Sequence, residues 1–462
     1  MSQQSFDLIV LGGGPAGRAA ALKASREGMT VALVDEVTGG ESIARGYFPL
    51  KVLISMADLM NRHQWTGLNE MGNQGEYRDG VLLTAMDRVR KARLAWQNAL
   101  LDAGVRFYRG EAVLAGRQQV QIKPPRDQEE PFEPCTLFGE QLLIATGAKP
   151  DSPVAGLDID GEKVLSHEHL VSADFSTFHD ILIIGGNVEG VEFASLLNNL
   201  GIPVTLIEQE DTLLPGCDRE MVARLEQCFL NRGIQIVKNC HVKSGDLAEE
   251  GVVLETTTAG EPRTFHCGKA LVTGKRVPSI PKGVAGLMDL TPEGFISVNS
   301  SMQTRVASIY AVGDVTGGIL SANAAIQEAE TAVTNMKGTD QAIDRSTMPF
   351  MFFTSPGFSG VGLTEEGAQK AGKDYVKVTI DFSENLKALS FGSDEGMLKV
   401  LVDKRDRTLL GVQVLGDDIS ELIALPADMY RERVPIDGVA DLPVPHPTLN
   451  ELFFEALKRI ET

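Results

Sequence analysis

Apolar runs and amphipathic stretches alternate along the first 35 residues in a strand, turn, helix, strand order: FDLIVL from Phe6, GGGPAG, RAAALKASREG and TVALVD ending at Asp35. Short apolar runs bounded by glycine read as buried strands, and the stretch between them carries a helical period. The pattern is a βαβ unit. The same order returns from Asp180 as DILIIGGNVEGVEFASLLNNLGIPVTLIE, so the chain contains an internal repeat of a nucleotide-binding unit. Between the repeats the pattern predicts a long amphipathic helix over about Val81 to Ala103, a polar hairpin excursion from Lys123 to Pro134, and the strand QLLIATG. Pro124, Pro125, Pro131 and Pro134 put that excursion at the surface. After Pro281 come a strand and loop, SIYAVGD, and a helix from about Ser321 to Lys337. From about Thr347, strands at YVKVTI, GMLKVLV and LLGVQVL and helices near Ile419 to Arg431 and Leu449 to Ile460 predict a separate α+β domain.

Composition narrows the function classes. A chain of 462 residues with 43% hydrophobic positions has room for roughly three cores. The formal charge of -20 repels phosphate backbones and anionic lipid, which disfavours a nucleic-acid or membrane-surface partner. The polar MSQQS start lacks a basic region followed by an apolar core, and no apolar run reaches spanning length, so neither a secretory leader nor membrane insertion is expected. Five cysteines (Cys135, Cys217, Cys228, Cys240, Cys267) are an odd number without CxxC or zinc-knuckle spacing. They read as scattered reduced thiols of a cytoplasmic protein with no metal site.

Gly12, Gly14 and Gly17 form GxGxxG between a strand and a helix, and Asp35 ends the next strand 23 positions after Gly12. The first glycine permits the tight turn, the second lets backbone approach a pyrophosphate, and the third lets helix and strand pack closely. The helix N-terminus supplies N–H groups and partial positive charge to the phosphates, and Asp35 suits a ribose diol.

With that fingerprint the chain resembles the class I flavoprotein disulfide reductases, the dihydrolipoamide dehydrogenase, glutathione reductase and mercuric reductase group, over essentially its whole length. LLIATGAKP (Ala145, Thr146, Gly147) looks like the family's ATG strand, and IYAVGD (Gly313, Asp314) looks like its second FAD segment; LPGCDRE, TSPGFSGVGLTEEGA and HPTLNE also match. The resemblance implies two nested Rossmann-like dinucleotide-binding domains plus a C-terminal α+β dimerisation domain. The boundaries expected are 1–150 and 279–345 for the FAD-binding domain, 151–278 for an NAD-binding-like domain, and 346–462 for dimerisation. It further implies FAD at the first site, a pyridine nucleotide at the second, and a homodimer in which His446 and Glu451 of HPTLNE reach the partner subunit's flavin as an acid/base pair. A turn that merely caps the last helix and seals the dimer is the competing reading of HPTLNE.

The sequence departs from the family at two places. Where the family carries GGTCxNxGCxPSK, this chain has GGESIARGYFPLK from Gly39 to Lys51, with Ser42 and Tyr47 at the two cysteine positions. A hydroxyl and a phenol form no disulfide, so dithiol exchange is not expected here, although distant cysteines could still meet in space. Tyr47 is expected either to pack on the flavin or to fill volume. Lys51 and Glu192 are retained, and in the family such a pair lies near flavin N5. In the second fingerprint Gly185 and Gly190 are present but Asn187 replaces the middle glycine. Glu189 sits where phosphate should approach, while Glu208 and the neighbouring acids favour NAD over NADP. Binding of NAD(H) therefore stays open.

These features predict an FAD-dependent oxidoreductase passing electrons from NADH to a small-molecule or protein acceptor that is not a disulfide. The alternative is an FAD-bearing electron-transfer or binding subunit of a larger complex that no longer reacts with NAD(P)H. A third reading is a paralogue whose FAD only stabilises the fold.

Overall fold

The computed structural model describes residues 4–37, 39–44, 46–65, 74–125, 132–151 and 154–461. The chain divides into two compact units, one of Met1–Val52, Gly80–Asp151 and Lys275–Arg345, the other of Leu53–Asp79, Ser152–Gly274 and Ser346–Thr462.

The first unit is built on a seven-stranded sheet. Strands Arg106–Arg109, Val31–Asp35, Gln4–Leu11 and Cys135–Ile144 run parallel in that order, and Ile309–Ala311 joins in parallel beyond the last of them. Gln119–Lys123 and Glu111–Leu114 add antiparallel strands. Leu8, Val10, Leu33 and Leu143 point into one buried cluster, whereas Ile9, Leu11, Leu142 and Ile144 point into another. Both faces are covered, which is why these strands read as unbroken apolar runs. Each fully buried aliphatic side chain of this kind contributes about 1.5–3 kcal/mol. On the first face lie two alanine-rich helices, Pro15–Arg26 and Ala322–Met336. Small side chains let them sit close, and Lys23 Nζ on one donates to the Glu330 carbonyl of the other at 2.9 Å.

The second unit holds the repeat. Gln235–Val237, Val204–Ile207, Ile181–Ile184, Lys269–Val272 and Val164–Leu165 form a parallel sheet in that order. A three-stranded antiparallel meander, Cys240–Ala248, Gly251–Thr258 and Glu261–Cys267, leads back into it. Residues after 346 form an antiparallel sheet in the order Phe350–Phe352, Gly357–Gly362, Leu409–Gly416, Met397–Asp403, Tyr375–Asp381. Phe382, Leu398, Val400, Val412, Val414, Phe453 and Leu457 fill its core. The fold class expected from the sequence is the one observed.

Two helices begin elsewhere than the pattern predicts, and one is added. The helix expected from Val81 begins at Gln74 and ends at Asp102, running through Gly80. Interior glycine weakens a helix by about 1 kcal/mol but does not stop one. The helix expected from Ile419 begins at Ala424, with Pro426 in its first turn, where a missing N–H is harmless. The Tyr47–Trp65 helix is an addition to the elements the pattern predicted. Part of the proline-rich excursion, residues 126–131, lies outside the described residues.

Lys399 is fully buried in the second unit, and its Nζ lies 2.7 Å from Asp218 Oδ1, 2.6 Å from Glu220 Oε2 and 3.2 Å from Glu365 Oε2. Asp218, also fully buried, caps the helix Arg219–Asn231 through the Met221 N–H and accepts from the Glu365 N–H. Burial works against the ammonium, but the carboxylates outweigh it and its pKa rises. This cluster joins the LPGCDRE and TEEGA segments to a core strand. Lys399→Met leaves a buried carboxylate without its cation, so it should lower unfolding free energy by roughly 3–5 kcal/mol in urea denaturation. Adding Asp218→Asn to that variant should recover part of the loss, since the stranded charge is then removed.

Candidate active site

The two fingerprints share their backbone and differ in how each helix begins. In the first, Gly12 has φ +102°, and a Cβ there would lie 2.3 Å from the Ala145 carbonyl oxygen. A Cβ on Gly17 would lie 1.8 Å from the Gly12 oxygen. Both positions therefore exclude any side chain. Gly14 is different: a Cβ there would meet only Ser42 Oγ, 3.9 Å away. The fold itself leaves that space open. Helix Pro15–Arg26 starts at Gly14 with no side-chain cap, so its first turn presents N–H groups to an anion. Asp35 Oδ2 accepts a short hydrogen bond from the Gly13 N–H and Oδ1 accepts from the Val37 N–H at 3.4 Å.

The other segments complete this cradle within the same unit. Thr146 Oγ1 donates to the Ser279 carbonyl at 2.6 Å, and Gly147 turns the chain with φ +71°. Gly313, at φ +73°, donates its N–H to Glu328 Oε2 at 2.7 Å, and Glu328 pairs with Arg345 at 2.7 Å. Asp314 follows; burial pushes its carboxyl pKa up, and Arg276, 3.8 Å away, offsets this in part. An open glycine at an uncapped helix start, an acid at the end of the second strand and a second half-buried acid suit the phosphates and hydroxyls of FAD. The residues present fit the cofactor.

Ser42 sits in the short helix Gly40–Ala44, and Tyr47 opens the helix that carries Lys51 four positions on, hence on the same face. Burial raises the Tyr47 phenol pKa, with Arg18 opposing, so the phenol is neutral at physiological pH. All five cysteines are free. Burial pushes Cys217 and Cys267 up to about 12, Cys228 to about 11, and Cys135 upward as well. Protonated thiols are poor nucleophiles. Among the described residues no group of three or more His, Cys, Asp or Glu is placed to hold a metal, and no helix is long and apolar enough to cross a membrane.

In the second fingerprint Gly185 has φ +111°, and a Cβ on Gly190 would lie 1.8 Å from the Gly185 oxygen, reproducing the first turn. Glu208 repeats Asp35: Oε2 accepts from the Gly186 N–H at 2.6 Å and Oε1 from the Glu210 N–H at 2.8 Å. Asn187 takes the place of Gly14 with nearly the same backbone, φ −76° against −68°. What matters is its side chain, whose Oδ1 accepts from the Glu189 and Gly190 N–H groups at 3.0 and 3.2 Å while Nδ2 donates to Thr273 Oγ1 at 3.1 Å. The helix start is capped from within. Glu189 Oε1 lies 2.9 Å from His167 Nδ1, which draws that carboxylate to a neighbouring segment.

Glu192 is buried on the same helix and accepts from the Phe353 N–H at 2.8 Å. His446 Nδ1 and Glu451 Oε2 are 2.9 Å apart, and Glu451 Oε1 accepts from the Thr448 N–H at 2.5 Å. Burial raises the Glu451 pKa, but the bonds to His446 and Thr448 outweigh it and hold the group below the usual carboxylate range. One carboxylate thus orients the imidazole and also ties the start of the last helix.

Two linked nucleotide-binding turns, one open and one capped, define a flavoprotein of the two-dinucleotide-fold class. Residues 6–329 match the family model described as pyridine nucleotide-disulphide oxidoreductase, and residues 348–457 match the dimerisation domain of that family. The chain belongs to the pyridine nucleotide-disulphide oxidoreductase family, whose cofactors are FAD and NAD(H). It is 30% identical to the dihydrolipoyl dehydrogenase of Bacillus subtilis, covering 98% of this chain and 97% of that one. It is 31% identical to that of Chlorobaculum parvum, with the same coverage. Among solved structures it resembles a Cu(II) complex of the HOCl-induced flavoprotein disulfide reductase RclA from Escherichia coli, at TM-score 0.86, 23% identity and full coverage of both chains. LpdA from Mycobacterium tuberculosis gives TM-score 0.86 at 24% identity over 99% of each chain.

Sequence reasoning missed Arg276, Glu328 and His167, which act through distant contacts, and it did not foresee the cap made by Asn187. That cap had a local signal, an Asn immediately before a helix. Titration of thiols in denaturant should find five both before and after anaerobic reduction with NADH, whereas reduction of a disulfide would add two to the earlier count. A second expectation concerns pH. Because Cys217, Cys228 and Cys267 hold protons more tightly when folded, their stabilising contribution is complete below the usual 9.0 and is lost as pH rises toward 11–12. Urea midpoints measured from pH 8 upward should fall, and less steeply in Cys217→Ala.

Proposed function

We propose that the protein is an FAD-dependent oxidoreductase, working as a cytoplasmic homodimer, that passes electrons from NADH to an acceptor other than a disulfide. The observation that carries this reading is the combination at one site: Ser42 and Tyr47 stand at the two family cysteine positions, beside a first fingerprint whose helix start is uncapped. The relatives are named for dihydrolipoyl oxidation, and the residues of this chain argue away from it. Free cysteines with raised pKa values agree with a reducing compartment. The segments 1–150 with 279–345, 151–278 and 346–462 serve in this reading as FAD-binding, NAD-binding-like and dimerisation parts.

In this scheme FAD, when bound, supplies two-electron redox chemistry. The Gly12, Gly14 and Gly17 turn and Asp35 hold its adenosine diphosphate half; Thr146, Gly147, Gly313 and Asp314 hold the remainder. Lys51 and Glu192 serve the flavin ring and Tyr47 shields one face. His446, fixed by Glu451, exchanges protons with the acceptor. Gly185, Gly190 and Glu208 receive NAD(H).

A specific observation supports a second reading, in which the protein is an electron-transfer subunit without direct NADH chemistry: Asn187 occupies the N–H groups that would otherwise face a pyrophosphate. Anaerobic titration separates the two. NADH should bleach the flavin band near about 450 nm, and lipoamide should not be turned over. Bleaching by dithionite alone would favour the subunit. Asn187→Gly frees two N–H groups at a cost of only a few tenths of a kcal/mol in helix capping. It should tighten NADH binding by roughly tenfold, about one hydrogen bond's worth, in the same titration.

A further inference from the structure

His167 opens the short helix His167–Leu170 and is buried, with 8% of its surface exposed. Its Nδ1 lies 2.9 Å from Oε1 of Glu189, in the first turn of the second fingerprint helix Val188–Asn199. Both residues belong to the second unit. At that distance a bare ring lone pair would repel the carboxylate oxygen, so the ring carries a hydrogen on Nδ1. The approach is nevertheless not aligned as a hydrogen bond, and among the described residues the buried Nδ1 has no hydrogen-bond partner. What the contact offers is charge. Imidazole changes its protonation between about pH 5 and 8, and in general a carboxylate neighbour favours the protonated ring while burial opposes it.

That charge sits where a nucleotide would feel it. Asn187 Oδ1 accepts from the Glu189 and Gly190 N–H groups at 3.0 and 3.2 Å, so the Glu189 backbone belongs to the donors that a diphosphate would use. The Glu189 side chain is 23% exposed, so its negative charge reaches the same space. The other charged groups of these elements are mostly engaged elsewhere. His169 Nδ1 accepts from the Ser166 N–H at 3.2 Å, and Glu192 accepts from the Phe353 N–H at 2.8 Å. Lys163 and Lys269, beside the short helix in the same sheet, each donate to a carbonyl at 2.7 Å, that of Ala248 and of Glu162. Asp160 accepts from the Val164 N–H at 2.8 Å. Glu168, half-buried, completes the charges of the short helix.

We propose that His167 is a positioning residue of the second nucleotide site, and that a dinucleotide binding there takes up a proton onto the His167 and Glu189 pair. With the ring protonated, its charge cancels that of Glu189 and the turn meets a diphosphate without net repulsion. With the ring neutral, the carboxylate opposes the ligand. Affinity is therefore greatest below the imidazole range and falls as pH rises through it. The inference rests on the reading that Gly185, Gly190 and Glu208 receive NAD(H), and it supplies the condition under which they do so.

The test uses the FAD-loaded oxidised protein and ADP-ribose, a redox-inert carrier of the same diphosphate, in calorimetric titrations at about pH 6.5 and about pH 8.5. The unaltered protein should bind roughly five- to tenfold more weakly at the higher pH. Glu189→Gln should bind tightly at both values, and His167→Gln weakly at both. A pair that served packing alone would weaken both variants alike, so the opposite directions identify charge. One pH profile shared by all three proteins, or equal weakening in both variants, overturns the inference and leaves NADH standing as the donor. Binding by none of the three at either pH overturns both readings.

Discussion

The first N–H groups of a helix have no partner within the helix, and something must accept from them. This chain meets the demand differently in its two nucleotide-binding turns. At Gly14 no side-chain cap does so among the described residues, and a Cβ there would have room, so packing does not demand the missing side chain. At Asn187 an amide oxygen does so, and the same amide is anchored to Thr273. The turns otherwise superimpose in kind: a positive-φ glycine, a close third glycine and an acid holding the tip. One residue type thus separates an uncapped helix start from a capped one.

A capped helix is not a closed site. An Asn cap contributes on the order of 1 kcal/mol, whereas dinucleotide binding draws on many contacts along the cofactor. Ligand phosphate can displace the amide, but it must then beat a neutral acceptor already in place, and the Glu189 carboxylate stands nearby. The approach of Glu189 Oε1 to within 2.9 Å of His167 Nδ1 matters for that reason. It draws negative charge toward an imidazole and lessens the repulsion that a carboxylate in the first turn would otherwise offer a diphosphate. Asn187 and Glu189 would therefore act on a bound nucleotide by different physics, one by competition for donors and the other by charge.

The fold was legible because its signals are local and repeated: glycine turns at fixed offsets, apolar runs for strands buried on both faces, and an acid ending the second strand of each unit. Helix ends were less legible because the weak cost of Gly80 and the neutrality of Pro426 in a first turn are overridden by packing. The glycines and acids of both turns could be named from sequence. The role of Asn187 could not be ranked, because whether its oxygen caps the helix depends on a rotamer. Arg18 follows the third fingerprint glycine and Trp96 sits on a helix more than 75 residues later; nothing in one sequence brings them together, and the structure does.

Under the proposed reading, in which Ser42 and Tyr47 stand where the family carries cysteines, the consequence would be wider than loss of a disulfide. A dithiol stores two electrons and hands them on by a covalent bond to substrate sulfur, which demands a substrate sulfur in contact. Without it, transfer requires only that an acceptor lie against a reduced cofactor, and selectivity falls to whatever shapes the approach.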